Sequence, residues 1–415
     1  MFDQTRRNIH PGPQTPALPG APRDGLCTDC GVSRLGDGRA CGRACQFIAP
    51  DYPALETRVH GRTADPATDE AFFGVTHSML RARLSPPAPG AQWTGITTGL
   101  AARLLEQGLV DAVLTVLPDP DDRWKPLPAI ITNPADMAQA RGMRMGWAPT
   151  LALLEPARAA GYKRLAMIGI PCQTYALRAL EAELGLEALY VIGTPCSDNT
   201  TTQNFHTFLN LLDKAPETIS YLEFRTDFRV ELRFENGRKP RLIPFLQLPI
   251  SQLPPDFFPM TCKTCVDYTN RLADITVGYM GGDGDQWVIA RNARGADLLS
   301  LIAPTLTTSP LTSSGKRKAA VKGFMENTAR AAGGMPLRRM PDWLRPFVSI
   351  LQRRFGPRGL EFARARVEMK AVETILHLRS SHPARMKNMV PAHVWSLAAR
   401  YGLTAAQAEQ RPPRP

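Results

Sequence analysis

Eight cysteines carry the chemistry that can be read first: Cys27, Cys30, Cys41 and Cys45 in one stretch, then Cys172, Cys196, Cys262 and Cys265 dispersed through the middle of the chain. Cys262 and Cys265 stand three apart, so one short turn offers both thiols to a single metal centre. An apolar, β-branched run, Ile275-Thr276-Val277, follows and ends in glycines, which reads as a buried strand opening into a tight loop. A metal held beside such a turn points to redox chemistry next to a bound cofactor. Cys172 follows the apolar run 164–170, and Cys196 follows the run 188–192. Both thiols are therefore expected just past strands, in the crevice where α/β sheets bind ligands. Structural zinc sites are compact, use paired ligands and stabilise small modules. Four thiols from three separated segments suit an iron–sulfur centre better. The first four lie in a glycine-rich stretch, 26–50, with little apolar surface, and ten residues intervene between Cys30 and Cys41. Spacing there leaves zinc and an iron–sulfur cluster both open.

The elements that position these thiols follow from periodicity. Helix–strand alternation through 98–196 predicts an α/β unit, with strands at 112–117, 129–132, 164–170 and 188–192. Residues 219–245 change to strand alternation around Asn236-Gly237, a hairpin signal, so the fold class is mixed α/β with an antiparallel segment. The expected organisation is a disordered lead-in (1–25), a cysteine-rich segment (26–92), an α/β cofactor-binding region (93–200), a region with the remaining cluster ligands (201–312) and a mainly helical tail (313–415). Residues 51–92 read as loop-rich.

A chain of 415 residues can bury a real core and suggests two or three domains. No apolar run approaches the ~20 residues that span a bilayer. The lead-in is polar, proline-rich and lacks a signal core, so the expected location is the cytoplasm, where eight cysteines are not disulfides. The net charge of +12 is uneven: residues 316–415 hold 20 Lys and Arg against 6 Asp and Glu. A solvated helical face is one reading; a docking surface for an acidic protein, an anionic pigment or a membrane is the other. No nucleic-acid signature accompanies the charge.

Several motifs occur in one order: Ala91-Gln92-Trp93-Thr94-Gly95-Ile96, Gly169-Ile170-Pro171-Cys172-Gln173, Gly193-Thr194-Pro195-Cys196-Ser197-Asp198-Asn199, Cys262-Lys263-Thr264-Cys265 and Ala273-Asp274-Ile275-Thr276-Val277-Gly278-Tyr279-Met280-Gly281. Together they resemble the coenzyme F-420 hydrogenase/dehydrogenase beta-subunit family, and within it the branch acting on chlorophyll intermediates. Val59-His60-Gly61-Arg62, Arg291-Asn292 and the tail stretch 355–364 add to the resemblance, which spans about residues 25–400.

The resemblance implies FAD and two 4Fe–4S clusters, one on Cys172, Cys196, Cys262 and Cys265, the other on Cys27, Cys30, Cys41 and Cys45. The family usually runs C-x2-C-G-x-C, but Ser33 stands where the third cysteine belongs, so Cys41 must substitute or the first cluster is altered. For the flavin it implies Thr94, Gly95, Thr97, Thr98 and Gly99 at a helix start, where free backbone N–H groups favour an anion, with Asn133 and Arg144 near the phosphates. An ordinary threonine cap is the plainer reading of that turn. His77, Tyr175 and Asp198 have the chemistry of proton donors and none is singled out; His60 reads as ordering its glycine loop. The implied partners are reduced ferredoxin and a chlorophyllide-type tetrapyrrole, with peripheral membrane contact and a homo-oligomer left open. The expected reaction is reduction of the 8-vinyl group of a divinyl (proto)chlorophyllide; the Ala/Arg/Pro-rich, bacterial type of composition favours it. The rivals are reduction of a 7-hydroxymethyl chlorophyll, a deazaflavin-dependent electron-input subunit and a zinc-stabilised binding module.

Overall fold

The computed structural model describes residues 12–18, 27–37, 39–48, 50–278 and 284–410. Within them, strands β1 (Ser78–Leu84), β2 (Ala112–Pro118), β3 (Pro126–Ile131), β4 (Arg164–Gly169), β5 (Ala188–Gly193), β6 (Ile219–Phe224), β7 (Arg229–Phe234), β8 (Arg241–Pro244), β9 (Ile275–Gly278), β10 (Gln286–Ala290) and β11 (Leu306–Ser309) form two sheets. The larger has the order β11-β1-β10-β9-β5-β4-β2-β3. Its centre, β2, β4, β5 and β9, is parallel; its other pairings are antiparallel. The smaller sheet, β6-β7-β8, is antiparallel, and Asn236-Gly237 turns between its last two strands, as expected.

The helices are α1 (Ala40–Ala44), α2 (Tyr52–His60), α3 (Glu70–Phe73), α4 (Ile96–Glu106), α5 (Leu154–Ala159), α6 (Pro171–Leu180), α7 (Thr202–Leu212), α8 (Met260–Lys263), α9 (Ala293–Ile302), α10 (Arg317–Ala332), α11 (Arg345–Phe355), α12 (Leu360–Ser381), α13 (Met386–Met389) and α14 (Ala392–Ala399). They cover the large sheet on both faces. On β4, Leu165 and Met167 pack with Leu177 and Leu180 of α6, while Ala166 and Ile168 pack with Leu100 and Leu104 of α4 and Leu298 of α9. Burial on both sides is why these strands read as near-continuous apolar runs.

Three features differ from the sequence reading. The stretch 51–92 holds α2 and β1 as well as loops, and β1 joins the large sheet beside β10. That sheet draws strands from 78 to 309, so it crosses the expected segment boundaries. Part of the lead-in is bound: Gln14 exchanges two backbone hydrogen bonds of 2.9 Å with Ile130, and the rest lies outside the described residues. The glycine loop after β9, residues 279–283, also lies outside them.

The basic tail is no solvated appendage. Ala363, Val367, Ala371, Val372, Ile375 and Leu378 of α12 pack with Phe73, Trp287, Ile289 and α14 in one core. Charged residues of α12 turn inward because partners meet them. Glu368 accepts from the Tyr401 hydroxyl and lies 2.9 Å from Arg400. No helix among the described residues is long and apolar enough to cross a membrane.

Candidate functional site

The carboxyl ends of the parallel strands gather the middle four cysteines. Cys172 is the second residue of α6, entered directly from β4, and Cys196 lies in the loop after β5. Asn270 (φ 58°) straps these ends together, its Nδ2 donating to Gly169 O at 2.7 Å and to Thr194 O at 3.3 Å. The Cys196 amide donates to Tyr268 O at 3.0 Å, which ties the loop to the segment bearing Cys265. Cys262 sits in the one-turn helix α8. Gly278, closing β9, lies against the Pro195 ring, where any Cβ would collide. The second stretch of cysteines abuts the first: Thr28 Oγ1 lies 3.9 Å from Cys172 Sγ, and Gln46 Nε2 lies 3.6 Å from Cys265 Sγ.

The thiols influence one another within and across the two expected quartets. Burial pushes Cys172 well up, reinforced by Cys196, Cys30, Cys262 and Cys265. Burial also raises Cys196, with Cys262 and Cys265 adding to it, and pushes Cys262 up to about 12 and Cys265 up to about 11. Cys30 is pushed up to about 12 by burial, with Cys45, Cys27 and Cys41 adding to it. Thiols so placed keep their protons at neutral pH until a metal displaces them. Among the described residues no three His, Cys, Asp or Glu side chains converge to hold a single metal ion. The quartets are neighbourhoods of half-buried thiols, with Cys262 alone buried, rather than closed ion cages. Ser33, at the family's third cysteine position, has a buried hydroxyl with no hydrogen-bond partner.

A cation sits against the middle quartet. Lys370 of α12 donates from Nζ to Cys262 O at 2.7 Å, Asp198 Oδ1 at 2.9 Å and Glu373 Oε2 at 2.7 Å. Burial alone would lower its ammonium, but Asp198 and Glu373 outweigh that and hold it above its ordinary value. Burial pushes Glu373 up to about 7 against the pull of Lys370. Neither Lys370 nor Glu373 was visible in the sequence, because an i, i+3 Lys–Glu pair on a helix reads as a solvated face. Asp198, a proton-donor candidate, is engaged by Lys370. Tyr175 is buried in α6, its hydroxyl accepting from the Asp51 amide at 2.8 Å, and His77 is exposed.

The expected flavin residues are only partly brought together. Gly95 caps α4 with φ 95°, and a Cβ there would stand 2.7 Å from that of Ala88, so the turn requires glycine. Thr94 is buried, donating to Gln286 Oε1 at 2.9 Å, and Thr98 donates back to Gly95 O at 3.3 Å. These hydroxyls build the turn. The first-turn amides around Thr97, ahead of Gly99, are the part of it suited to an anion. Arg144 folds onto its own loop, donating to Met143 O and Arg141 O at 2.9 Å, while its buried Nε has no partner. Arg141 Nε and Trp147 Nε1 on the same loop are likewise buried and unpartnered, and Arg141 also donates to Pro89 O at 2.6 Å, beside the Gly95 turn. This orphan-rich loop fits a phosphate-bearing cofactor. Asn133 does not join it. The β2–β3 register carries Asn133 to the level of Asp111, at the amino end of β2, where its side chain accepts from the Ala135 amide at 3.1 Å and starts a 3₁₀ turn.

Other motif residues are structural. Arg291 is buried, donating to Phe73 O (2.7 Å) and Thr269 O (2.8 Å). Asp274 faces Arg178 at 2.8 Å in a fully buried pair. His60 Nε2 donates to Arg271 O at 2.9 Å, while Nδ1 accepts from Asn292 Nδ2 at 3.2 Å, so the ring orders its loop as a neutral group. Burial lowers it to about 4, against about 6.5 in an unfolded chain. The unfolded chain therefore takes up the extra proton first, and stability falls as pH drops from 6.5 through 4, by at most ~3 kcal/mol from this group. Denaturant midpoints across that range should show the loss, and His60→Asn should flatten the slope.

Two family models match the chain: the coenzyme F420 hydrogenase/dehydrogenase beta subunit N-term over residues 79–155, and its C terminus over residues 162–314. The chain belongs to the coenzyme F420 hydrogenase/dehydrogenase beta-subunit family. It is 35% identical over 407 residues to the chloroplastic 7-hydroxymethyl chlorophyll a reductase of Oryza sativa, covering 95% of this chain and 85% of that protein. An uncharacterised Nostoc protein is 36% identical over 92% of this chain and 95% of its own length. Family membership marks the chain as an oxidoreductase. The coenzyme F420 hydrogenase beta subunit of Methanothermobacter thermautotrophicus matches only 50% of this chain, at 27% identity, covering 74% of that protein. A chain of the F420-reducing [NiFe] hydrogenase complex of Methanosarcina barkeri shares the fold, with a TM-score of 0.52 at 22% identity over 60% of this chain and 85% of that one.

Proposed function

We propose that this oxidoreductase reduces the 8-vinyl group of a divinyl (proto)chlorophyllide to ethyl, with reduced ferredoxin as the electron source. The observation that supports a tetrapyrrole over a deazaflavin is the reach of the similarity. It runs through the packed tail to a relative named as a chlorophyll reductase, whereas the relative named as an F420 hydrogenase matches about half of the chain. Saturating a vinyl group takes two electrons and two protons, while ferredoxin gives electrons singly. When bound, FAD beside two 4Fe–4S clusters supplies the conversion between one- and two-electron chemistry. Cys172, Cys196, Cys262 and Cys265 would hold one cluster and Cys27, Cys30, Cys41 and Cys45 the other. The buried donors of the 141–147 loop, Arg144 among them, and the α4 amides would bind the flavin phosphates. Lys370 keeps a positive charge beside the Cys262 turn and holds Asp198 in an ion pair at 2.9 Å.

The rice relative favours a second reading, removal of a 7-hydroxymethyl oxygen as water, which needs the same two electrons and two protons. Anaerobic protein given reduced ferredoxin and each pigment separates them. A monovinyl product supports the first reading; a 7-methyl product alone replaces it with the second; zinc without sulfide would end both. Cys41→Ser should cost about four irons per chain, and adding Ser33→Cys should restore them. Iron unchanged in Cys41→Ser would remove Cys41 from the ligands.

A further inference from the structure

The tail carries an apolar stripe that the fold leaves uncovered. Trp343, Phe347, Leu351 and Phe355 follow one another at four-residue intervals along α11 and its entry, with Ile350 beside them. Trp343 is 71% exposed, Phe347 61%, Leu351 54% and Ile350 53%. Single exposed apolar residues are ordinary, but a contiguous row marks an interaction site.

The helix is seated on the protein. Ser349 is buried on its inner side, the Phe355 carbonyl accepts from the Lys316 amide at 2.8 Å, and Arg338, in the segment leading into the helix, donates to the carbonyls of Phe245, Leu246 and Leu248 beside the small sheet. The stripe is thus a fixed feature of the surface, presented by a seated helix.

Its surroundings are basic. Of the five arginines in residues 335–355, Arg338 turns inward to those carbonyls and Arg345 pairs with the single acid, Asp342, at 3.0 Å, which leaves the exposed Arg339, Arg353 and Arg354 for the rim. At the far end Lys316 Nζ lies 5.4 Å from the centre of the Phe355 ring, with Lys318 next in the chain but one. An apolar face rimmed by Arg and Lys, on a helix too short and too charged to span, has the composition of an interfacial helix. Its charge is complementary to anionic headgroups, and its aromatic residues suit the boundary between headgroup and acyl chain.

We propose that α11 and the turn before it dock the protein on an anionic lipid surface, with the Trp343–Phe355 stripe inserted among the acyl chains and the basic rim on the headgroups. The proposal is independent of the reaction assigned above, so either can fail alone.

The test uses the full chain with its cofactors and vesicles of phosphatidylcholine alone or mixed equally with phosphatidylglycerol. Co-sedimentation is expected with the mixed vesicles at low salt and at least tenfold weaker with phosphatidylcholine. Trp343 emission, taken as the difference from Trp343→Phe, should shift to the blue on binding. The double variant Phe347→Ser/Ile350→Ser, on the exposed face, should lose at least tenfold in binding while keeping its flavin and iron content. No sedimentation of the parent chain, or equal sedimentation of the double variant, overturns the proposal. So does self-association, or ferredoxin binding, that the double variant abolishes while lipid binding is absent.

Discussion

Replacing Cys262 by Ser is expected to give a protein with about half the iron of the parent, near four atoms per chain, and with pigment reduction at background. The thiol lies at the carboxyl ends of the parallel strands beside Cys196 and Cys265, in the quartet proposed to hold one cluster. The remaining iron should belong to the other quartet, and its reduced-state spectrum should survive. A variant that kept all of its iron would remove Cys262 from the ligand set. A variant that lost all of it would show that the two quartets assemble as one unit, consistent with the short Thr28–Cys172 and Gln46–Cys265 approaches.

Lys370→Met carries the second large effect. The ammonium is almost completely buried between two carboxylates and a carbonyl, so removing it strands Asp198 and Glu373. Breaking one partner of a buried pair costs about 3–5 kcal/mol, and thermal or denaturant unfolding should register it. The charge has a second consequence that a merely structural residue would not have. A cation beside the Cys262 turn favours the electron-rich state of whatever the thiols bind. Its loss should weaken that preference by on the order of 1–2 kcal/mol at an effective dielectric constant of about 20, lowering the midpoint potential by several tens of millivolts. Lys370→Arg keeps the charge and should keep most of the potential. An unchanged potential in Lys370→Met would leave the residue a packing role alone.

Much of the sheet was legible because its central strands are buried on both faces. Runs such as Leu165–Ile170 have no polar alternative, and the glycine or proline after each marks its end. The cysteine positions past β4 and β5 followed from those ends. What escaped was long-range. β1 reads as loop because Arg81 and Arg83 interrupt its apolar run, and only the pairing with β10, across about two hundred residues, makes it a strand. Asn133 was expected near the flavin phosphates on the family resemblance, but the β2–β3 register sends it to the other end of the sheet. The tail reads either as a solvated face or as a docking surface because Lys and Arg dominate it. Nothing local says that Glu368, Lys370 and Glu373 face inward, since their partners Arg400 and Asp198 lie on distant segments. His60 was legible, since glycine follows it and ends α2.

The placement of α12 also sets an order of events during synthesis. Lys370 and Thr374 close over Cys262 and Cys265, yet they lie a hundred residues further along the chain. At about 5–20 residues per second the ribosome needs roughly 5–20 s to make that stretch. All eight thiols emerge before the helix that packs over the last two, so a cluster of the proposed kind would find them open during that interval. Once α12 packs, the same helix covers their turn, and later insertion would need the carboxyl-terminal core to open.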